Sequence, residues 1–351
     1  MPKASIEKLK AIAAELLIGA GAPEEEAATV ARHCINANVV GHHSHGIIQI
    51  PNYIERIKKG HIVPGAPWEI LRETETTTVV DGHWGFGYVA NERAMRLTID
   101  KADKMGVAAA TVARQGHIGR LASYPLMAIE RGMIGLITAD SGRSPKVVVP
   151  FGGQEPRLGT NPISIAVPSN LAGPLVLDMA TSAVAVNKIT LAEGRGQAIP
   201  QGWIIDKDGR QTTDPKQYKA GGMLLPLGGT EGYKGYGLGV MVEILCGLLT
   251  GLGFGVEPTG RHNDGCFMAV FKVDAFRPLA RFKEEVTEFA AYLNATKPSE
   301  GSSGVLYPGE LEYRHAQGHQ RDGIDVDDAT WRKLAALAHD YGLSAKLDLS
   351  S

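Results

Sequence analysis

Two short stretches carry side chains suited to moving protons. GHHSHGIIQ, residues 41–49, sets Ser44 and His45 side by side, with His42 and His43 just before them. QGHIGR, residues 115–120, sets His117 between glycines and ends in Arg120. An imidazole titrates near neutrality, so either His45 or His117 suits a general acid or base. Ser44 lacks the glycine two positions earlier that a G-x-S-x-G nucleophile carries, so a serine that steadies His45 fits better than one that attacks. His42, His43 and His45 raise the question of zinc. Neighbours in sequence cannot all face one ion from a regular element, and no H-E-x-x-H or carboxylate-rich stretch joins them, so no metal is expected.

Other stretches offer contacts to a ligand. GFGYVA, residues 85–90, falls between a strand-like and a helix-like run, where the phosphate-binding turn of a Rossmann unit would stand. That fingerprint requires an acid about 20 residues on, at the end of the second strand; here VAAATVAR ends in Arg114. A turn with close helix packing is the better reading. LGTNP (158–162), LDMATS (177–182) and GYKGYG (232–237) sit at strand ends or helix starts. Glycine, Thr and Asn there let a ligand approach the backbone, and Lys234 at a helix start suits a phosphate.

The elements that must position these groups divide in two. MPKASIEKLKAIAAELL is amphipathic, with Ile6, Leu9, Ile12, Ala13, Leu16 and Leu17 on one face. A second helix starts with Pro23 in its first turn, followed by Glu24 to Glu26, and the chain stays helical to about residue 70. From Thr76 strand-like runs (TTTVV, VAAATVA, MIGLITAD, ISIAVP, PLVLDMA, WIIDKDG, CFMAVFKV) alternate with helix-like ones, which reads as α/β. The tail from about 298 is polar and ends in a helix near 330–343. LGVMVEILCGLLTGLGFG, 238–255, has the length of a short membrane span but contains Glu243 and five glycines, so a buried core helix is expected.

Composition bounds the partners. The 351 residues, 44% of them apolar, suffice for two domains. The 36 basic and 38 acidic residues are well mixed, giving a net charge of −2 and no basic face, so neither nucleic acid nor membrane is expected as a partner. Cys34, Cys246 and Cys266 are far apart and fit a reducing compartment, and the first helix lacks a signal-peptide core; a cytoplasmic location is expected.

Taken in order, SHG, GHIGR, VVPFGG, GTNP, DMATS, TTDP and YKGYGL resemble the type 2 malate/L-lactate dehydrogenase family, nearest to its broad hydroxycarboxylate dehydrogenase branch. The resemblance implies a non-Rossmann NAD(P)-binding α/β fold with a helical discontinuous second domain. Residues 1–75 plus 298–351 would form the helical domain and 76–297 the nucleotide-binding one. It implies a homodimer that uses NAD or NADP, with NAD slightly favoured and no metal, to exchange a hydride between a 2-hydroxy acid and a 2-oxo acid. A cyclic imino-acid (ketimine) reductase using NADPH is the alternative. The family's proton acceptor falls on His117, with His45 as competitor and Ser44 beside it. Its cofactor contacts fall on Ser141, Asp178, Met179, Ala180, Lys234 and Gly235.

Two departures from the family pattern carry information. Many members read S-H-G-x-x-R with an arginine that clamps the substrate carboxylate, where this chain has Gln49. An amide supplies no charge, so Arg120 is expected to replace the clamp, with Thr160 as a hydrogen-bond donor. Lys188 stands where the imino-acid reductase branch carries an aspartate. A cation there stabilises a developing alkoxide and favours the oxo-acid reaction.

Overall fold

A computed structural model describes residues 2–140, 144–261 and 264–349. Helix α1 (Ile6–Gly19) starts where the Ser5 hydroxyl accepts the Lys8 amide, and buries Leu9, Ile12, Ala13, Leu16 and Leu17 as the spacing predicts. It packs on α2 (Glu24–Val39). Pro23 is the cap of α2 rather than part of its first turn, so Glu24, Glu25 and Glu26 are its first helical residues. A short helix, α3 (Ile50–Lys58), buries Ile50, Tyr53 and Ile54 against them.

The centre of the chain forms a seven-stranded mixed sheet of β1 (Glu69–Glu73), β2 (Thr77–Asp81), β3 (Val107–Ala113), β4 (Met133–Ala139), β5 (Ile163–Val167), β6 (Leu175–Met179) and β7 (Cys266–Lys272). The spatial order is β1-β2-β3-β7-β4-β5-β6. Only β2 and β3 are parallel, joined by α4 (Gly87–Met105); every other pairing is antiparallel. β7, late in sequence, inserts at the centre against β3 and β4 and buries Cys266, Met268 and Val270. One parallel crossover in an otherwise antiparallel sheet is not a doubly wound Rossmann arrangement, in line with the non-Rossmann α/β expectation.

Between β3 and β4 lies α5 (Pro125–Ile129), packed on β4; later in the chain come α6 (Val186–Gly194), α7 (Tyr233–Glu243) and α8 (Leu279–Asn294). The tail contains a helix that its polarity conceals, α9 (Glu310–Asp322), whose one buried residue is Glu310. It is followed by α10 (Asp328–Asp340), capped by Asp327. Trp331, Leu334 and Ala338 of α10 join α1, α2 and α3 in one hydrophobic core that also takes in Phe86, Tyr88 and Val89. Lys3–Ala4 and Ile324–Asp325 pair as a small antiparallel ladder.

The stretch 238–255 is not the buried core helix its composition suggests. α7 passes into a π turn at Ile244–Leu248, and Met241, Leu248, Leu249 and Phe254 are exposed, the last at 73%. The reason is the glycines. Gly235, Gly239 and Gly247 form the inward face, where an added Cβ would stand 2.3 Å from the Leu227 carbonyl, 2.9 Å from the Thr181 hydroxyl and 2.5 Å from the Gly253 carbonyl. The helix presses these glycines inward together with Val242, Glu243 and Cys246, and turns Met241, Leu248 and Leu249 out. No helix among the described residues is long and apolar enough to cross a membrane.

Candidate active site

The Ser44–His45 turn is shaped from behind by Asn38 near the end of α2. Its Oδ1 accepts the Ile47 amide at 2.7 Å and its Nδ2 donates to His43 Nδ1 at 3.1 Å. A Cβ on Gly46 would fall 2.2 Å from Asn38 Oδ1, so only glycine lets the turn close on that amide. The result is two consecutive 3-10 turns, His43–His45 and Ile47–Gln49, leading into α3. Ser44 Oγ lies 3.0 Å from His45 Nδ1, the geometry of a serine that orients its neighbour. The histidines diverge: His42 meets Glu312 of α9 at 3.3 Å, His43 meets His319 edge to face, and His45 turns toward the sheet. They do not converge on one ion.

His117 reaches the same place from β3. Arg114 bends the chain with φ +52, and the loop is then fastened on three sides. The Gly116 amide donates to the Gly85 carbonyl at 2.9 Å and the Ile118 amide to Asp264 Oδ2 at 3.1 Å. The buried Gln115 amide accepts from Asn91 and donates to the Asp264 carbonyl. GFGYVA takes part in this fastening. A Cβ on Gly87 would stand 2.2 Å from the Gly116 carbonyl and 2.8 Å from the His117 carbonyl. The motif is a packing surface for the His117 loop, as its missing acid implies.

The two imidazoles meet. The rings of His45 and His117 stack at 5.7 Å with an interplanar angle of 20°. Tyr53 Oη lies 2.7 Å from His117 Nδ1 and 3.0 Å from Tyr88 Oη, and both phenols are buried. Burial, reinforced by the charges of His42 and Arg120 and opposed by Asp264, pushes His45 down to about 4. His45 is therefore neutral at ordinary pH.

Arg120 is buried behind this pair, its Nε 3.6 Å from Asp178 Oδ2. Asp178 also accepts the Ala122 amide at 2.9 Å. Burial pushes the Asp178 carboxyl up, against the pull of Arg120 and Ala122. Arg120 Nε itself has no hydrogen-bond partner among the described residues. Gln49, by contrast, has both ends of its amide engaged. Nε2 donates to the Ser44 carbonyl at 2.6 Å and Oε1 accepts from Asn52 at 3.2 Å, so it braces the turn.

The remaining expected residues are more scattered. Met179 ends β6, with Ala180 next to it, and the Thr160 carbonyl accepts both the amide and the hydroxyl of Thr181 beside them. Lys234, exposed in the first turn of α7, lies 3.8 Å from Glu231, and Gly235 donates its amide to the Leu227 carbonyl. Lys188 is exposed in the first turn of α6, and no hydrogen bond or ion pair among the described residues joins its side chain to the histidines. Ser141 lies outside the described residues. Tyr53, Tyr88, Gln115 and Asp264 escaped sequence reasoning. Tyr88 and Gln115 lie within quoted stretches and Tyr53 just after one, but only the fold brings the Tyr53 hydroxyl to His117 and the Tyr88 hydroxyl to Tyr53. Among the described residues one trio, Glu69, Asp81 and His83, has ligand atoms close enough to share a cation. The Arg114 guanidinium already sits on Asp81 there.

Comparison with known proteins agrees with this architecture. The malate/L-lactate dehydrogenase family model matches residues 4–335. An L-sulfolactate dehydrogenase of Methanothermobacter thermautotrophicus is 34% identical over 339 residues, 95% of each chain. The crystal structure of a malate dehydrogenase from Entamoeba histolytica superposes with a TM-score of 0.92 at 33% identity, covering 97% of this chain and 98% of that one. A delta1-piperideine-2-carboxylate reductase from Pseudomonas syringae superposes at 0.85 with 30% identity, over 96% of this chain and all of its own. With a family match across nearly its whole length and relatives above 30% identity on the same fold, the chain belongs to the malate/L-lactate dehydrogenase family.

Proposed function

We propose that this chain is an NAD(P)-dependent 2-hydroxy-acid dehydrogenase, an oxidoreductase acting on a CH–OH group. The observation that carries the reading is the stacked His45–His117 pair, with Ser44 on one ring and Tyr53 on the other, in a chain of this family. When bound, the nicotinamide takes up or supplies the hydride at the substrate carbon. His117 accepts the hydroxyl proton in oxidation and returns it in reduction. His45, held neutral by burial, donates a hydrogen bond rather than a charge, and Ser44 orients it.

For the substrate carboxylate, Arg120 supplies a buried cation whose Nε makes no hydrogen bond among the described residues and stands 3.6 Å from Asp178. Gln49 is occupied with its own turn, so the site favours a 2-oxo acid with one carboxylate over a dicarboxylate. The Thr160 hydroxyl adds a donor. Asp178, Met179 and Ala180 at the end of β6, with Lys234 and Gly235 in the first turn of α7, would hold the cofactor, NAD in preference to NADP. A helix start with an exposed lysine fits a pyrophosphate. We assign residues 1–75 and 298–351 to the helical domain, with Glu69–Glu73 reaching out of it into the central sheet as β1, and 76–297 to the nucleotide-binding one.

The exposed apolar side chains along α7 and its π turn support a homodimer. The three buried thiols suit the reducing cytoplasm. Oxidation of NADH and NADPH is followed with pyruvate, oxaloacetate, phenylpyruvate and a cyclic imine; turnover with pyruvate or phenylpyruvate is expected. The likeness to the piperideine carboxylate reductase favours imine reduction as a second reading. Turnover with the imine and with no 2-oxo acid would replace the first reading by the second.

A further inference from the structure

We propose that Tyr53, backed by Tyr88 and Cys34, is a positioning residue that holds the His117 ring proton on Nδ1, so that Nε2 meets the substrate proton; this rests on His117 being the proton-transfer group. The three side chains come from α3, α4 and α2 and form a buried line. Cys34 Sγ lies 3.6 Å from Tyr88 Oη, Tyr88 Oη 3.0 Å from Tyr53 Oη, and Tyr53 Oη 2.7 Å from His117 Nδ1.

A phenol has one proton to give. If Tyr53 gives it to Nδ1, the proton of the neutral ring sits on Nε2, and the ring cannot accept another there. If Tyr53 gives it to Tyr88, its oxygen accepts from Nδ1–H and Nε2 becomes the base. The second arrangement needs an outlet at every step. Tyr88 accepts from Tyr53 and turns its own proton to Cys34, whose sulfur accepts it in place of the S–H donation to Tyr88 Oη that the 3.6 Å contact also allows.

Turnover selects the same arrangement. Once His117 carries the substrate proton, both ring nitrogens bear hydrogen, and a buried Nδ1–H without an acceptor is costly. Tyr53 supplies that acceptor only while its own proton points to Tyr88. The line orients and does not conduct. Burial holds both phenols well above their ordinary range and pushes the Cys34 thiol up to about 12, so none of them releases a proton. The fold also reserves space for it: a Cβ on Gly119 would stand 2.2 Å from Tyr88 Oη. Among the described residues, the charged and titratable groups recorded against Tyr53 and His45 include Arg56, Asp264, Arg120 and His42, all retained in the variants below.

Histidine labelled with nitrogen-15, with His117 assigned from the His117→Asn spectrum, reports the tautomer directly. In the wild-type protein the proton is expected on Nδ1. Tyr88→Phe keeps the Tyr53 phenol but removes its outlet, and should move the proton to Nε2. Tyr53→Phe removes the acceptor for imidazolium Nδ1–H. Its kcat should fall about 10- to 100-fold, with the pH limbs of oxidation and reduction both moving to lower pH by about one unit. A wild-type His117 with its proton on Nε2 overturns the proposal, as does a Tyr53→Phe enzyme with an unchanged pH profile. If no 2-oxo acid is reduced with either nucleotide, the functional reading fails separately, while the spectrum still decides the tautomer.

Discussion

Gly87→Ala tests whether GFGYVA serves to seat His117. Gly87 opens α4 outside the left-handed region, so helix propensity alone would favour alanine by about 1 kcal/mol. Space decides otherwise. The new Cβ would stand 2.2 Å from the Gly116 carbonyl and 2.8 Å from both the His117 carbonyl and Ile118 Cγ2. Reaching an ordinary carbon–oxygen contact requires a retreat of about 1 Å. The two carbonyls belong to backbone fastened by Gly85, Asp264 and Asn91, so they cannot yield as the Ile118 side chain could. Overpacking of this kind costs about 1–3 kcal/mol, which outweighs propensity. A shift of about 1 Å in the His117 loop lowers kcat by about 100-fold. Stopped-time NADH oxidation and thermal melts of Gly87→Ala are read against Gly318→Ala in α9, where nothing lies within 4 Å of the added Cβ. The control should gain about 0.5–1 kcal/mol without loss of turnover. A Gly87→Ala enzyme with wild-type kcat and melting point would refute the reasoning.

Other substitutions reach separate parts of the site. Arg120→Ala should raise KM for 2-oxo acids by about 10-fold or more. It should also destabilise the protein by about 3 kcal/mol, because Asp178 stays buried without its cation; an unaltered KM would remove Arg120 from substrate binding. The His45 pKa of about 4 lies below the ordinary histidine value, so between pH 6.5 and 4 the unfolded chain takes up a proton that the folded one refuses. Stability present above pH 6.5 is therefore lost on acidification, by up to about 3 kcal/mol and less where water reaches the ring. Denaturant midpoints at pH 7 and 4.5 should converge in His45→Gln; equal slopes in both proteins would contradict the assignment. Met241→Glu with Leu248→Glu should convert a dimer to a monomer in light scattering, and a wild-type monomer would leave that apolar face without the proposed partner.

The sequence exposed what is local. Apolar spacing located α1, turn chemistry bounded most strands, and Arg114 in place of an acid was enough to set aside a Rossmann turn. The pairing of Ser44 with His45 was readable because the two are adjacent. What depended on distant chain segments was hidden. Nothing in α9 announces a helix, since its contacts are made by Glu310, Glu312 and two histidines rather than by an apolar stripe. Arg120 was visible as a candidate clamp, but its partner Asp178 lies on β6, and composition cannot show that the two form an ion pair. Hydropathy misjudged 238–255 because it counts side chains, while the glycine backbone is what packs inward.

The pairing of segments more than 300 residues apart also governs when this fold can assemble. Lys3–Ala4 pairs with Ile324–Asp325, and Lys8 Nζ donates to the Asp348 carbonyl 340 positions away. The core beneath the Ser44–His45 turn is closed by Trp331, Leu334 and Ala338. During synthesis, α1 to α3 emerge well before α10 and wait for it before that core can shut. Such long-range closure slows folding and leaves apolar helix faces open meanwhile. His45 becomes usable only after α10, nearly 300 residues further on, has arrived.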